Sequence, residues 1–237
     1  EVMQSLPENS IDMVLCDLPY GMIKCKWDSV IPFDALWERY KRVCKKDAAM
    51  VLFGSMPFSG LLVSSNLKAY KHDWVRQKNS GSNFGCIKYQ PMREHELILV
   101  FSYGKLIYNP IMQERSESGK SRTKYSYKLE RTGNEAYTSS SFKKRITSTY
   151  LQELRYPSSI QKFNRECGLH PTQKPVALCE YLIKTYSNEN DVVLDNCMGS
   201  GSTGIACLNT NRKFIGIELE DKYFEVAKAL NSFNFKI

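Results

Sequence analysis

The first stretch whose residue types could do chemistry lies near the start of the chain, where Asp17, Leu18, Pro19 and Tyr20 follow one another. It combines a carboxylate, a backbone restrained by proline and an aromatic ring. These parts could hold a planar heterocycle that bears an amino group: the ring stacks on Tyr20, and Asp17 and the Leu18 carbonyl accept hydrogen bonds from the amine. A plain turn, in which proline fixes the chain, would need the same residues. On the tetrapeptide alone, both interpretations stay open.

A second candidate is the glycine-rich stretch from Asp195 to Gly204, which reads DNCMGSGSTG. It follows a predicted strand and precedes a predicted helix, a context in which glycines let the backbone approach a ligand closely. Glu218, at the end of the next predicted strand, is placed to accept hydrogen bonds from ribose hydroxyls. These features indicate a nucleoside-containing cofactor, although a tight strand-to-helix turn would also use such glycines.

The carboxylate of Asp195 helps to distinguish between the classes of cofactor that this stretch could bind. It would repel a pyrophosphate, which disfavours a dinucleotide, and it would attract an ammonium or sulfonium group. The sequence contains no G-x-x-x-x-G-K-[ST] segment. A nucleotide hydrolase of the P-loop type therefore has no support.

The elements that must position these stretches alternate between strands and helices. Apolar, β-prone runs predict strands at 11–16, 48–53, 72–76, 96–101, 192–194 and 214–217. One helix is predicted at 57–67, and four others are predicted to begin near Asp34 (which would be the cap residue), Pro175, Thr203 and Asp221. This alternation predicts an α/β fold with a mostly parallel sheet and helices on both faces. Ligands bind beyond the carboxyl ends of such strands, so the loops after Cys16 and Leu194 are where chemistry is expected.

The positive charge of the chain is concentrated in one segment. Residues 105–165 carry 13 Lys and Arg against 5 Asp and Glu, which equals the whole net charge of +8. The segment is rich in Ser, Thr and Tyr, and its apolar residues show no sustained period, so no regular elements are predicted there. Basic residues interleaved with aromatic rings suit contact with phosphates and bases. A solvated loop with incidental charge is the alternative.

Composition excludes other classes of protein. The chain is 42% hydrophobic and 24% charged, which is ordinary for a globular protein, and no run approaches the roughly 20 apolar residues that a membrane-spanning helix needs. No leader pattern is present, and the first residue is Glu1 rather than Met, so we expect preceding residues to be missing. The eight cysteines include no C-x-x-C pair and the three histidines are scattered, so we expect reduced, buried cysteines in a cytoplasmic protein and no metal site.

In combination, these stretches resemble an amino-group DNA methyltransferase of class I, which is Rossmann-like and depends on S-adenosylmethionine. The catalytic D-P-P-Y signature of that family corresponds to Asp17–Tyr20, its cofactor loop to Asp195–Gly201 and its ribose-binding acidic residue to Glu218. Another cofactor-side motif corresponds to His170–Pro175, which reads HPTQKP. The order of these motifs is similar to the permuted β group, in which a target-recognition insert follows the catalytic loop.

The resemblance implies a domain organisation and an activity. Residues 1–104 would form the catalytic half of the methyltransferase domain, residues 105–168 the basic target-recognition insert and residues 169–237 the cofactor-binding half. The implied reaction transfers a methyl group from S-adenosylmethionine to the 6-amino group of an adenine that is flipped out of duplex DNA.

The resemblance also implies site residues. The catalytic set is Asp17, Leu18, Pro19 and Tyr20. The cofactor-binding set is Asp17, His170, Thr172, Lys174, Asp195, Cys197, Gly199, Ser200, Gly201, Ser202, Thr203 and Glu218. The DNA-binding residues expected in the basic segment are Lys120, Arg122, Lys124, Lys143, Lys144 and Arg145.

The chain departs from the family pattern in three places. Leu18 stands where proline is usual, which makes the catalytic loop less rigid. Cys197 stands where an aromatic residue is usual, which weakens packing near the methionine end of the cofactor. A further acidic cofactor contact of the family would fall at or before Glu1.

Several alternatives remain open from the sequence. The cytosine 4-amino group is the chemical runner-up, since an initial Asp in the tetrapeptide favours adenine and Ser favours cytosine. A protein or RNA amine, a nicotinamide-dependent oxidoreductase and a non-catalytic DNA-binding relative are the others. The resemblance further implies a bacterial or phage-encoded protein that acts in the cytoplasm, with a homodimer and a restriction endonuclease as candidate partners and no membrane.

Overall fold

The computed structural model describes residues 2–22, 28–122, 126–131, 142–148, 153–165 and 173–230. The strands are β1 (Ile11–Cys16), β2 (Cys44–Gly54), β3 (Tyr70–Gln77), β4 (His95–Phe101), β5 (Gln113–Glu114), β6 (Ser126–Arg131), β7 (Phe142–Ser148), β8 (Leu154–Arg155), β9 (Ile160–Lys162), β10 (Val192–Asp195) and β11 (Lys213–Gly216). The helices are α1 (Phe33–Val43), α2 (Phe58–Ser65), α3 (Glu117–Arg122), α4 (Val176–Tyr186), α5 (Ser202–Asn209) and α6 (Asp221–Leu230).

The chain divides into two compact units. The larger unit comprises Glu1–Asn109 and Ser158–Ile237, and the smaller unit comprises Pro110–Pro157. The smaller unit lies inside the segment 105–168, which the resemblance to the family implied as an insert. Residues at the end of that segment belong to the larger unit, because β9 pairs with β3.

A seven-stranded sheet forms the centre of the larger unit. Its strand order is β11-β10-β1-β2-β4-β3-β9. β4 is antiparallel to both β2 and β3, and the other neighbouring pairs are parallel. The α/β fold with a mostly parallel sheet, predicted from the sequence, is confirmed.

Helices cover both faces of this sheet. On one face, residues of α1 and α2 pack in a cluster with Val14 and Cys16 of β1. On the other face, residues of α4, α5 and α6 pack in a cluster with Met13 and Leu15. Successive side chains of a strand point to opposite faces, so a strand buried on both sides needs a nearly continuous apolar run. This explains why the sequence of β1 shows no polar alternation.

The start of α1 differs from the prediction. Pro32, rather than Asp34, occupies the N-cap position, and no side chain caps the helix there. Asp34 lies in the first turn, where its negative charge interacts favourably with the helix dipole. The helix predicted at 57–67 is also shorter and spans α2 alone.

The smaller unit contains elements that hydrophobic periodicity did not predict. β6 pairs antiparallel with β7, and β5 pairs antiparallel with β8. The sequence of β7, FKKRITS, has a run of three basic residues in place of an alternating apolar pattern. β7 is therefore defined by its backbone pairing with β6, and its local sequence has no apolar pattern that would have predicted a strand.

None of the helices in the described ranges combines the length and the apolar character needed to cross a bilayer.

Candidate functional site

The loops that follow β1 and β10 meet at one edge of the sheet. β1 and β10 are parallel, with Val14 opposite Leu194, so their carboxyl ends lie side by side. Asp17 follows β1 and Asp195 ends β10. Both residues line one cavity of ≈ 390 Å³. The two places where the sequence predicted chemistry thus open into the same space.

Most of the predicted catalytic and cofactor-binding residues line this cavity. They are Asp17, Leu18, Pro19, Tyr20, Lys174, Asp195, Cys197, Gly199, Ser200, Ser202, Thr203 and Glu218. Three further lining residues lie in the quoted motifs but were given no role, namely Gln173, Asn196 and Met198. The lining residues that the sequence did not single out are Met22, Asp28, Ser29, Ile31, Phe53, Leu219, Glu220 and Tyr223. Gly201 is not a lining residue and instead forms the N-cap of α5 with a φ of +84°. The predicted His170 and Thr172 lie outside the described residues.

The side chain of Asp28 orders the loop after β1. Its Oδ1 accepts hydrogen bonds from the backbone N–H groups of Tyr20 at 2.7 Å and Gly21 at 2.9 Å, and its Oδ2 accepts one from Met22 at 2.7 Å. Gly21 has a φ of +69°, in the left-handed region that glycine tolerates. Three successive N–H groups therefore point at one carboxylate, which fixes the loop without further secondary structure. No local sequence pattern indicated this role of Asp28.

Leu18 anchors the same loop from the inside. Its side chain is 4% exposed and belongs to the core cluster that contains Phe58. The loop that lacks the family's usual proline is thus held by an apolar side chain packed into the core. Cys197, the other departure on the described part of the chain, packs against this same cluster.

Tyr20 is held at both its hydroxyl and its ring. The hydroxyl donates a hydrogen bond to Asp17 Oδ1 at 2.6 Å. The ring stacks on Phe58, with centroids 4.8 Å apart and an interplanar angle of 29°. Burial, together with the negative charges of Asp17 and Glu96, raises the pKa of Tyr20 well above its usual value. The phenol consequently remains a neutral hydrogen-bond donor at physiological pH.

Lys174 contacts the other oxygen of Asp17. Its Nζ donates to Asp17 Oδ2 at 2.5 Å, lies 3.4 Å from Glu96 Oε2 and sits 4.9 Å from the centroid of the Phe53 ring. Burial alone would lower the pKa of Lys174, but the attraction of Asp17 and Glu96 outweighs it and raises that pKa. Lys174, which was predicted as a cofactor ligand, lines the cavity, and its ammonium contacts Asp17, the carboxylate that was predicted to be catalytic.

Glu96 and Arg76 extend this charged group into the sheet. Arg76 Nη1 forms an ion pair with Glu96 Oε1. Burial raises the pKa of Glu96, but Lys174 and Arg76 together lower it more, so the net shift is downward. The sequence did not indicate either residue, because each lies in a strand and its partners are distant along the chain.

Asp195 orders the start of the glycine-rich loop. Its Oδ2 accepts a hydrogen bond from Thr203 Oγ1 at 2.7 Å, and its Oδ1 accepts one from the Cys197 backbone N–H at 3.2 Å. Burial raises the pKa of Asp195 to about 6, although these hydrogen bonds oppose the shift. A buried carboxylate beside an open cavity favours a cationic ligand, which would compensate the cost of its burial.

Glu218 ties the glycine loop to the end of β11. Its Oε2 accepts a hydrogen bond from the Gly199 N–H at 2.8 Å, and its Oε1 accepts from the N–H groups of Leu219 and Glu220, each at 3.0 Å. A carboxylate has about four acceptor sites and three of these are used, so Oε2 of Glu218 can still accept one hydrogen bond from a ligand hydroxyl.

Gly199 leaves room on the cavity wall. It has a φ of +52°, and a Cβ built on it would meet no atom within 4 Å. Together with the carboxylates of Asp195 and Glu218 at separate points of the wall, this gap fits a ligand that carries a positive charge at one end and a ribose at the other.

The predicted DNA-binding residues fall in the smaller unit. Lys120 lies in α3 and forms an ion pair with Glu117 at 2.9 Å. Arg122 ends α3. The residues Lys143, Lys144 and Arg145 lie in β7, paired with Glu130, Leu129 and Lys128 of β6. Lys124 lies outside the described residues.

The connection between β3 and β4 forms an exposed surface at the edge of the sheet where β1, β2 and β10 end. β4 pairs antiparallel with β2 so that Leu97 lies opposite Gly54, which places residues 78–94 at the edge where β2 ends. All residues from 84 to 92 are exposed, including Phe84 at 60% and Tyr89 at 89%. No sequence pattern singled out this exposed loop, 84–92, because its charge is small beside that of 105–165.

A family model described as DNA methylase matches residues 11–229. Among curated proteins, the chain is 28% identical over 251 residues to the Type II methyltransferase M.HpaI of Haemophilus parainfluenzae, covering 96% of this chain and 70% of that protein. It is 29% identical over 245 residues to the DNA adenine methyltransferase YhdJ of Escherichia coli (strain K12), covering 94% of this chain and 77% of that protein.

Solved structures have the same fold. The crystal structure of the M1.HpyAVI–SAM complex matches with a TM-score of 0.60 and 28% identity, over 96% of this chain and 90% of that chain. The PvuII DNA methyltransferase (cytosine-N4-specific) matches with a TM-score of 0.64 and 15% identity, over 95% of this chain and 81% of that chain. The second similarity concerns the fold alone.

Proposed function

We propose, from the premise that this chain belongs to the DNA methylase family, that its cavity brings an adenine amine held by Asp17 against a methyl donor held by the glycine-rich loop. The enzyme is a DNA methyltransferase that uses S-adenosylmethionine, and its relatives of the adenine type make adenine the target. The observation that carries the residue assignments is that the loops after β1 and β10 line one cavity.

The residues present fit S-adenosylmethionine. Glu218 would accept hydrogen bonds from the ribose hydroxyls, Asp195 would face the positively charged methionine end, and Gly199 would leave space for close approach of the ligand. When bound, the cofactor supplies an electrophilic methyl group on a sulfonium centre. The open Cβ direction of Gly199 and the buried carboxylate of Asp195 support this placement.

Asp17 and the backbone of Leu18 would hold the target amine. The amine of adenine is a poor nucleophile, because its lone pair is delocalised into the ring. Two acceptors that bind its hydrogens favour a pyramidal nitrogen with a directed lone pair, so orientation and electrostatics replace prior deprotonation. Asp17 or water accepts the proton that the amine releases after methylation.

Tyr20 would receive the base after it leaves the duplex. A base inside a duplex cannot reach Asp17, so the nucleotide must be extruded at a cost of a few kcal/mol. Stacking on an aromatic ring offsets part of this cost, about 1–3 kcal/mol per base. Phe58 supports the Tyr20 ring at 4.8 Å, which keeps it in one orientation.

Two surfaces are candidates for contact with the duplex. The first is the basic segment with Lys120, Arg122, Lys124 and the run Lys143–Arg145, which we propose as the target-recognition region. The second is the exposed loop 84–92, whose aromatic and apolar side chains are exposed at the edge of the sheet where β2 ends. Basic residues supply affinity for phosphates, and the exposed rings suit contact with unstacked bases.

Nucleoside analysis tests the proposed target. The purified chain would be incubated with unmethylated duplex DNA and S-adenosylmethionine, and the DNA digested to nucleosides and weighed by mass spectrometry. We expect N6-methyldeoxyadenosine; N4-methyldeoxycytidine in its place would reassign the target. Equilibrium binding of S-adenosylhomocysteine against NAD tests the cofactor in the same preparation, and preference for NAD would contradict the proposed site.

A homodimer and a restriction endonuclease partner are further proposals, supported by the resemblance alone. Sedimentation of the purified chain with and without duplex DNA tests the first. Protection of the methylated DNA against endonucleases from the same genome tests the second, and a monomer or unprotected DNA would contradict them in turn.

A further inference from the structure

Lys174 makes its closest contacts with residues of the amine-binding side of the cavity. Its Nζ lies 2.5 Å from Asp17 Oδ2 and 3.4 Å from Glu96 Oε2, and its side chain is only 13% exposed. A buried ammonium is stable only when it is paired, and here two carboxylates share it. The contacts of Lys174 therefore depend on the positions of both Asp17 and Glu96.

Glu96 is itself fixed from the opposite side. Arg76, which is 3% exposed, forms an ion pair with Glu96 Oε1. Arg76 also donates from Nε to the Phe163 carbonyl at 3.2 Å and from Nη2 to the Asn164 carbonyl at 3.0 Å. The guanidinium thus connects the carboxylate to the backbone just after β9, and Glu96 has little freedom to move.

The charges of Arg76, Glu96, Lys174 and Asp17 balance in two pairs. Arg76 neutralises Glu96 from one side, which leaves the charge of Lys174 to act mainly on Asp17. Tyr20 contacts the Oδ1 oxygen of Asp17, and Lys174 contacts Oδ2. The orientation of the Asp17 carboxylate is therefore defined at both oxygens.

We propose that Lys174 is a positioning residue for methyl transfer, which holds the Asp17 carboxylate oriented towards the target amine, and that Glu96 and Arg76 hold Lys174 in place. This inference rests on the proposed role of Asp17. It differs from the expectation that Lys174 binds the cofactor. Oδ1 accepts one hydrogen bond from Tyr20 and Oδ2 accepts one from Lys174, so the carboxylate is fixed by two donors and keeps a lone pair on each oxygen for the amine.

The test compares Lys174→Met with Lys184→Met, a control on α4 whose side chain is 50% exposed and pairs with Glu180. Single-turnover methylation would be measured at saturating S-adenosylmethionine and DNA. For Lys174→Met we expect a loss of about 100-fold in the rate, since methionine cannot donate a charge-assisted hydrogen bond to Asp17. We expect the control to match the parent.

Binding of S-adenosylhomocysteine separates positioning from cofactor binding. We expect its Kd in Lys174→Met to stay within about threefold of the parent value, because Lys174 Nζ acts on the amine side of the cavity. A Kd weakened by tenfold or more, with an unchanged single-turnover rate at saturation, would overturn the proposal and make Lys174 a cofactor ligand.

Glu96→Gln provides a second variant if Lys174→Met does not fold. Glutamine keeps the shape but removes the charge that holds Lys174, while Lys174 itself remains. We expect a rate loss of about tenfold, smaller than for Lys174→Met, because the cation beside Asp17 is still present. An unchanged rate would contradict the inference. If Asp17→Ala retained its activity, the proposed function would fail instead.

Discussion

The hydroxyl of Tyr20 and the carboxylate of Asp17 form a hydrogen bond of 2.6 Å within the proposed catalytic loop. The bond closes the tetrapeptide on itself, so the stacking ring and the amine acceptor are set at a fixed distance. In the proposed binding mode, the incoming base meets a ring already supported by Phe58 and a carboxylate already oriented by two donors.

Substitutions at Tyr20 separate these two roles. In Tyr20→Phe the ring remains and one hydrogen bond to Asp17 is removed, so we expect the methylation rate to fall by about three- to tenfold. In Tyr20→Ala the stacking surface is also removed, and we expect a further loss of at least about tenfold. Single-turnover rates at saturating DNA measure both, and equal rates in the two variants would contradict a stacking role.

Gly199 offers a test of the cofactor side. In Gly199→Ala the new methyl group would stand where no atom lies within 4 Å, on the wall of the cavity, and the residue would have to keep a φ of +52°. We expect binding of S-adenosylhomocysteine to weaken by at least about tenfold and the protein to lose about 1–2 kcal/mol of stability.

Gly85→Ala is the matched control for this prediction. A Cβ on Gly85 also meets nothing within 4 Å, but Gly85 lies in an exposed loop and has no left-handed φ. We expect its affinity for S-adenosylhomocysteine to equal that of the parent. If Gly199→Ala bound the ligand as tightly as Gly85→Ala, the glycine loop would not be the cofactor site.

The burial of Asp195 predicts that the free energy of unfolding depends on pH. Its folded-state pKa is raised to about 6, so protonation favours the folded protein. This contribution is fully present below the pKa of the unfolded chain and is lost as the pH rises through about 6. We expect Asp195→Asn, which cannot ionise, to lack this loss, which amounts to at most about 3 kcal/mol.

Urea unfolding of the parent and of Asp195→Asn at pH 4.5 and pH 7.5 measures this difference. The free energy of unfolding of the parent should fall relative to that of the variant between the two pH values. Parallel behaviour of the two proteins would show that Asp195 ionises without cost, which is inconsistent with its burial.

The basic run of β7 predicts a salt effect on DNA binding. Replacing Lys143, Lys144 and Arg145 together by glutamine should weaken binding and reduce the slope of log K against log salt by about 2 to 3, since each phosphate contact contributes about 0.9. Fluorescence anisotropy with a labelled duplex at several salt concentrations measures the slope.

A control for net charge uses three exposed lysines near the edge of the sheet where β2 and β3 begin. Lys41 lies in the last turn of α1, Lys46 lies near the start of β2 and Lys68 precedes β3. Replacing these three by glutamine changes the net charge by the same amount, and we expect the salt slope to stay as in the parent. If both triple variants changed the slope equally, binding would depend on overall charge rather than on the basic segment.

The sequence predicted those parts of the site whose determinants are local. The apolar run of β1, the tetrapeptide after it and the glycines after β10 are consecutive residues, and their pattern indicated both the sheet and the two loops. Glu96 and Arg76 could not be found in this way, because their partners lie in other elements. Asp28 could not be found either, because its partners are backbone N–H groups earlier in the same loop, which almost any residue type would supply. Their roles follow from the register of the sheet and from the path of a loop, which no short window records.

The insert shows the same limit. Composition located the basic segment, because charge is counted without knowledge of structure. It did not predict β6 and β7, whose backbone pairing is independent of an apolar pattern, nor that β9 joins the main sheet. The exposed loop 84–92 was missed for a related reason, since its position at the edge where β2 ends depends on the antiparallel placement of β4.

The role of Asp17 is tested most directly by methyl transfer in Asp17→Ala. Transfer of radiolabelled methyl groups from S-adenosylmethionine to duplex DNA would be measured in parallel with equilibrium binding of S-adenosylhomocysteine, for the variant and the parent. We predict that label in DNA is abolished in the variant, while its Kd for S-adenosylhomocysteine stays within a few-fold of the parent value. Substantial turnover by a variant that still binds the cofactor would contradict the claim that Asp17 holds the target amine.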